Sequence, residues 1–394
     1  MTVSSSFEFE YRGSELIFGR GCTEKLETIL ADRNIKDALI VCGSNVGANE
    51  VVMAPLRRNL GDRLVEVFDE TTPEKDVETV YDGIEAMEAV NPDALIAVGG
   101  GSSLDIARQM SVFAAAGRSL SDIRRAAREG TLKPPEPDIA PTPIVVVPTT
   151  FAGADLSSGG SVTVLEAEES PTGQPIRTGG SVRPIAMIYD PDLFETTPMR
   201  ALAGSAMNGF DKGLETIYSR HATPITDATA MRGLQLLRKS LPGLDGDNPT
   251  AMEQAVIGII LVQFERRGSI IHAIGHGFAR RYPVQQGIVH AIVAPHVLRY
   301  LFRNVDGRRR QLAQAFDVDE DVPDNEVSAA IVDEVVAVRD GLAVPTRLRD
   351  VDGIDERELE TVAEFALEDA LMSQAPAGLK PTVEDVESIL REAW

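Results

Sequence analysis

Between residues 37 and 150 short apolar runs alternate with a stretch whose apolar side chains recur at helical spacing. Ala38–Val41, Leu64–Phe68, Ala94–Val98 and Ile144–Val147 have the length and character of buried strands. Within Glu74–Val90, the residues Val77, Val80, Ile84, Met87 and Val90 recur every three or four positions, which predicts a helix. Strands that alternate with helices pair in parallel and need cover on both faces, so this half predicts an α/β domain with a doubly wound parallel sheet. Residues 119–143, which contain KPPEPDIAPTP, read as a loop, and a Gly/Ser-rich strand-and-turn region follows. After about residue 200 the helical period dominates, at 225–242, 251–266, 268–282, 288–303, 325–340, 355–371 and 382–393. The second domain is therefore expected to be all-α. DPDLFETTP, 190–198, reads as the junction, which gives domains of 1–195 and 196–394.

A chain of 394 residues suits two domains, and 43% hydrophobic with 25% charged residues describes an ordinary globular protein. No apolar run is long enough to span a membrane. MTVSSSFEFEYRG has no basic or apolar leader pattern, so no secretory signal is expected. Cys22 and Cys42 alone make no disulfide scaffold, and a reducing cytoplasm is the expected setting. The net charge of −23 is spread along the chain. That argues against nucleic acid and anionic membranes as partners and leaves a small-molecule substrate. The oligomeric state stays open, a homodimer included. Only seven of the 38 basic residues are lysine, and an acidic, lysine-poor surface resembles halophilic proteins. This bears on solubility, not on activity.

ALIAVGGGSSLDIARQM, 94–110, reads as an apolar strand, three glycines and a helix. Glycines allow a sharp turn and a close approach of ligand to backbone. A helix N-terminus offers free N–H groups and the positive end of a dipole, which suits a pyrophosphate. Ser102 and Asp105 are spaced like a capping box in acidic form. A plain strand–helix turn would look similar, and the GxGxxG fingerprint is absent. Four of the five histidines fall at 272, 276, 290 and 296. His272 and His276, four apart, share one helix face. Histidine suits proton transfer near neutral pH, although buried, hydrogen-bonded histidines would give the same pattern.

GGGSSLD, VPTT at 147–150, DPDL at 190–193, and the His272/His276 block followed by AP at 294–295 stand in the order found in iron-containing alcohol dehydrogenases. ELIFGRG, 15–21, resembles that family's opening strand, and LKPTVEDVESILREA, 379–393, its closing helix. PTTFAGAD, 148–155, MNGFDKGLETIY, 207–218, and the histidine segment are most similar to the maleylacetate-reductase-like branch. The resemblance covers nearly the whole chain. It implies a dehydroquinate-synthase-like architecture, with a nucleotide domain, a helical domain and a hydride-transfer cleft between them.

The resemblance also implies roles for single residues. Gly99, Gly100, Gly101, Ser102 and Asp105 would hold the pyrophosphate and the nearby ribose. Thr149, Thr150 and Phe151 would line the nucleotide. His276 would donate or relay a proton, with His272 beside the carbonyl. Where iron enzymes carry an Asp, and three His, this chain has Asn208, Lys212, His272 and Gln286. Only His272 is still a good ligand, because Asn and Gln are weak neutral donors and an ammonium repels a metal. A metal ion is therefore not expected. Lys212 is the candidate that replaces it, although Asn208, Lys212 and Glu215 could also be a solvent stripe on one helix. Gly43, followed by Ser44, stands where NAD-preferring members carry an Asp that would repel a 2′-phosphate. NADP(H) is expected to be preferred, with NAD(H) also used.

The expected activity is NAD(P)-dependent hydride transfer between a nicotinamide and a small carbonyl or alcohol. A metal-dependent alcohol or polyol dehydrogenase, a dehydroquinate-synthase-like lyase and a non-catalytic nucleotide-binding protein stay open as alternatives.

Overall fold

Every residue of Ala38–Val41 is buried, and the same holds for Ala94–Gly99 and Ile144–Pro148. Runs that bury both faces belong in the middle of a sheet covered by helices. In the computed structural model, which describes residues 13–246, 248–265 and 267–394, they do. Residues 1–12, which hold most of the N-terminal segment read for a secretory signal, lie outside the described residues.

The strands are β1 (Glu15–Phe18), β2 (Ala38–Val41), β3 (Leu64–Phe68), β4 (Ala94–Gly99), β5 (Ile144–Pro148), β6 (Val162–Leu165), β7 (Ile176–Thr178) and β8 (Ala186–Tyr189). Six form one parallel sheet in the order β1-β8-β5-β4-β2-β3, and β6 and β7 make a separate antiparallel pair. Helices α1 (Lys25–Asp32), α2 (Ser44–Gly47), α3 (Glu50–Leu60), α4 (Val77–Val90), α5 (Gly101–Ala116) and α6 (Leu120–Arg128) lie between strands, and α7 (Pro191–Phe194) follows β8. Leu26, Ile29 and Leu30 of α1 and Val52, Met53 and Leu56 of α3 pack with Ile40, Ile96, Val98 and Ile188 in one core. Strand order reverses between β2 and β4, and at such a switch point the loops after the two strands diverge and leave a crevice.

The loop expected over 119–143 is corrected in its first part. Ser119 accepts from the Asp122 amide and starts α6, which buries Ile123 and Ala127, four apart. With Leu120 these make a narrow apolar stripe on a helix that is otherwise mostly polar and charged, next to the proline-rich run, which is why the segment reads as a loop. The prolines begin after the helix has ended.

This unit ends at Thr197, and a second begins at Pro198. The second is helical: α8 (Met199–Tyr218), α9 (Pro224–Ser240), α10 (Ala251–Gln263), α11 (Ile270–Arg281), α12 (Gln286–Asn304), α13 (Arg309–Ala315), α14 (Asp324–Gly341), α15 (Leu359–Glu368) and α16 (Val383–Glu392). The segment expected as one helix over 355–371 is split, with 3-10 turns at Glu356–Glu358 and Ala370–Gln374 on either side of α15. α8 is buried nearly all round, as a central helix must be. A Cβ on Gly287 would come within 1.7 Å of the Gly204 carbonyl oxygen, so α8 and α12 meet almost backbone to backbone there. Among the described residues no helix is long and apolar enough to cross a membrane.

Candidate active site

In the α/β unit the predicted nucleotide residues gather at the switch point. Gly43 follows β2 by two residues, Gly99 ends β4, and a Cβ on either would lie within 4 Å of Ser103 Oγ. Gly99 has φ of 129°, a conformation that side chains rarely adopt, so glycine is required for the turn. Gly100 precedes α5 in extended conformation and no side chain caps that helix, which leaves its first amides facing the loop. The acidic capping box expected from Ser102 and Asp105 is therefore corrected. Ser102 already lies inside α5, and Asp105 bonds Lys75 Nζ at 3.0 Å and Arg108 Nη1 at 3.1 Å. Those partners come from a distant loop and from the next helical turn, which local spacing cannot reveal.

Thr149 and Thr150 follow β5, with the Thr149 amide on the Gly99 carbonyl at 3.0 Å and the Thr197 hydroxyl on the Thr149 carbonyl at 2.8 Å. A Cβ on Gly100 would stand 3.3 Å from Thr150 Cγ2, so the glycine turn and this loop are neighbours. The Phe151 ring is fully buried and stacks on Phe194 with centroids 5.2 Å apart. That side chain belongs to the core of the unit. Ser44 opens the short α2 directly after Gly43. Arg108, not anticipated, is fully buried and donates to the carbonyls of Ala154, Ser157 and Gly159, which ties the loop after β5 to α5.

In the helical unit, Glu215 and Lys212 of α8 are buried, which removes the solvent-stripe reading, while Asn208 is half-buried. Glu215 Oε2 lies 2.5 Å from His272 Nδ1, and the carboxylate also accepts from the amides of Ser269, Ile271 and His272. Tyr218 donates to it at 3.0 Å. Burial pushes the Glu215 carboxyl up to about 7, although the amides of Ser269, His272 and Ile271 pull the other way. One acid thus straps the start of α11 to α8 and fixes the His272 ring. Bonded through Nδ1, His272 can exchange a proton elsewhere only through Nε2.

His276, one turn further on α11, has Nδ1 2.9 Å from Asp369 Oδ2, and its side chain is 38% exposed. Behind His272 lies a pair that the sequence did not flag. The His290 ring is 4.4 Å from that of His272, and its Nδ1 is 3.6 Å from Asp211 Oδ2. Both residues are fully buried. Burial, and then the Glu215 charge, push the Asp211 carboxyl well up, with Lys212 pulling it back. Burial, followed by the charges of His272, His276 and Lys212, pushes His290 well down. A Cβ at position 275 would strike His290 Nε2 at 2.1 Å, so Gly275 makes room for that ring. Spacing in the sequence could not have paired Asp211 with His290, since they stand on different helices.

Gln286 starts α12, and the next residue, Gly287, meets Gly204 and Asn208 on α8. The former donor positions Asn208, Lys212, His272 and Gln286 thus fall on the mutually packed helices α8, α11 and α12. Two amides, an ammonium and one imidazole do not make an iron site. Among the described residues no three His, Cys, Asp or Glu side chains converge to hold a metal.

Residues 13–191 match the family described as "Iron-containing alcohol dehydrogenase", and residues 202–394 match "Fe-containing alcohol dehydrogenase family, C-terminal". The chain belongs to the iron-containing alcohol dehydrogenase family, and is an oxidoreductase of that family. It is 26% identical over 389 residues to the NAD-dependent methanol dehydrogenase of Bacillus methanolicus, covering 96% of this chain and 97% of that one. Its fold is similar to that of a 1,3-propanediol oxidoreductase, with a TM-score of 0.84 at 21% identity over 98% of this chain and 100% of that chain. It is similar also to the maleylacetate reductase of Agrobacterium tumefaciens, with a TM-score of 0.77 at 19% identity over 99% of both chains.

Proposed function

We propose that the chain is an NAD(P)-dependent oxidoreductase that moves a hydride between a nicotinamide cofactor and a small carbonyl or alcohol, in the manner of maleylacetate reductases and without a catalytic metal. The observation that carries this reading is on α11. Two imidazoles there are each bonded through Nδ1 to a carboxylate, in a family member whose metal-donor positions have become Asn208, Lys212 and Gln286.

The glycine turn at Gly99–Gly101 and the uncapped start of α5 fit a pyrophosphate, with Ser102, Asp105, Thr149 and Thr150 beside it. A bound nicotinamide supplies the hydride. The protein supplies orientation and protons. His276, its tautomer set by Asp369, gives a proton to the oxygen that gains charge as a carbonyl is reduced. His272, held by Glu215, lies beside that oxygen. The Lys212 ammonium stabilises the developing charge and favours a carbonyl substrate that bears a carboxylate. Gly43 in place of an acid supports a preference for NADP(H), with NAD(H) also accepted.

The test is a fluorescence titration of NADPH and NADH into the wild type and a Gly100→Leu variant, with turnover measured on small carbonyls. Position 100 has an ordinary extended backbone and its Cβ would press only on the Thr150 side chain, so the variant is expected to fold, which a thermal melt checks, and its affinity to fall about tenfold, roughly 1.4 kcal/mol. A wild type that binds neither nucleotide sinks the reading, and binding without net turnover points to a lyase-like or non-catalytic protein. A metal-dependent alcohol dehydrogenase is the second reading, favoured by the match to the iron-containing alcohol dehydrogenase family. Metal analysis separates the two.

A further inference from the structure

Lys75 lies on the loop between β3 and α4, and that loop rests on the first turns of α5. The Thr71 and Ser103 hydroxyls are 2.6 Å apart, and Ser102 Oγ reaches the Pro73 carbonyl at 3.5 Å. Lys75 has φ of 55°, a left-handed conformation that a side-chain-bearing residue adopts only when its surroundings impose it. Here the Lys75 carbonyl accepts from the Thr163 amide at 2.8 Å, which ties the loop to β6. The backbone is thus held where the ammonium can stand 3.0 Å from Asp105 Oδ2, one turn along α5 from the glycines.

Asp105 does not need this lysine for charge balance. Its Oδ1 already accepts from the buried Arg108 guanidinium at 3.1 Å. Of the two acids that flank Lys75, Asp76 caps α4 and accepts from the Thr79 amide and hydroxyl and from Thr72, and Glu74 is exposed to solvent. Arg108 alone can thus keep Asp105 paired, and the Lys75 side chain, 27% exposed, stands beside an uncapped helix N-terminus. An ammonium whose acid has a second partner can turn to a phosphate, since three donors on a flexible stem suit a point anion.

We propose that Lys75 binds a phosphate of the dinucleotide, an assignment that rests on the nucleotide site proposed above. Asp105 steers the ammonium, and Arg108 keeps Asp105 paired when the ammonium turns to the phosphate. The pyrophosphate and a 2′-phosphate offer the same chemistry, and β3 lies at the sheet edge next to β2, so the loop that carries Lys75 adjoins the switch point between β2 and β4.

The experiment is a calorimetric titration of ADP-ribose and of 2′-phospho-ADP-ribose into the full chain, as wild type, Lys75→Gln and Lys75→Arg. Glutamine can still bond Asp105 but lacks the charge. Lys75→Gln is expected to weaken binding about tenfold, and Lys75→Arg to stay within about twofold of wild type. Loss for both ligands identifies the pyrophosphate, and loss confined to the second identifies the 2′-phosphate. Equal affinities in wild type and Lys75→Gln overturn the assignment. So does an equal loss in Lys75→Gln and Lys75→Arg, which would mark a latch on Asp105 and no more. A wild type that binds neither ligand overturns the nucleotide site itself, and this assignment with it.

Discussion

Nδ1 of His276 lies 2.9 Å from Oδ2 of Asp369, while Oδ1 of the same carboxylate accepts from the Leu371 amide at 2.9 Å. Burial opposes ionisation of Asp369, yet the bonds from His276 and Leu371 outweigh it and hold the carboxyl below its usual range. The acid is therefore an anion pinned by a backbone turn, and it fixes which imidazole nitrogen faces away from it. His276→Ala is expected to lower kcat about a hundredfold or more, the usual weight of a general acid. Asp369→Asn, which keeps the size and can still cap Leu371, is expected to lower kcat by less. Nucleotide affinity should not change in either variant. Full activity of both would remove the pair from the reaction.

Glu215 makes an opposite prediction about pH and stability. Burial raises its carboxyl from an ordinary 4.5 to about 7, so the folded protein binds this proton more tightly than the unfolded chain does. The stabilisation from this group is complete below about pH 4.5 and is lost as the pH rises to about 7, on the order of 3 kcal/mol. Denaturant unfolding of wild type and Glu215→Gln across that range should give curves that differ in slope, with the wild type declining more steeply toward neutral pH. Glu215→Gln should also be less stable at every pH, since one amide hydrogen must face Ser269 N–H or the His272 ring. Parallel curves would show that Glu215 is ionised throughout.

Much of this arrangement was legible in the residues themselves. Buried central strands such as Ala38–Val41 and Ile144–Val147 announce themselves because both faces are covered and no polar residue interrupts them. The glycine turn was readable because φ of 129° at Gly99 admits little else. What stayed hidden were partners brought together by tertiary structure. Asp369 stands 93 residues from His276, and Lys75 stands 30 from Asp105. No period or spacing encodes those pairs. Glu215 was visible on the face of α8, but its bonds to three amides depend on where α11 begins.

On the proposed nucleotide site, cofactor choice is expected to turn on the loop after β2. NADPH should give the higher kcat/KM, because Gly43 carries no carboxylate that would repel a 2′-phosphate. Gly43→Asp should reverse that preference toward NADH by charge repulsion. The change is not free of strain, since a Cβ there would stand 3.1 Å from the Thr71 carbonyl oxygen. Asp69 also lies in this region, because a Cβ on Gly47 would meet its carboxylate at 2.7 Å. The variant therefore adds a second negative charge, and some loss of thermal stability should accompany the switch. A wild type that prefers NADH would refute the assignment.

The last prediction concerns Lys212 and the absence of a catalytic metal. In a metal enzyme of this kind the ion acts as a Lewis acid on the substrate oxygen. Asn208, Lys212 and Gln286 are poor partners for His272 in such a site, so on the proposed mechanism the charge that accumulates on the oxygen needs another partner. Lys212 is buried on α8, one turn before Glu215, and its charge is felt by Asp211 and His290. A desolvated ammonium aimed at an oxyanion is worth about 3–4 kcal/mol, the scale of a lost oxyanion-hole donor. Lys212→Met, which keeps the length of the side chain, should then reduce kcat by at least about a hundredfold and leave nucleotide affinity as it was. Protein purified without chelator should hold no stoichiometric iron or zinc, and EDTA should leave turnover intact. The rival account has Lys212 serving only to neutralise Asp211, and it predicts a loss of melting temperature with kcat preserved. A transition metal found on His272, or a Lys212→Met enzyme that turns over at the wild-type rate, would end the metal-free mechanism.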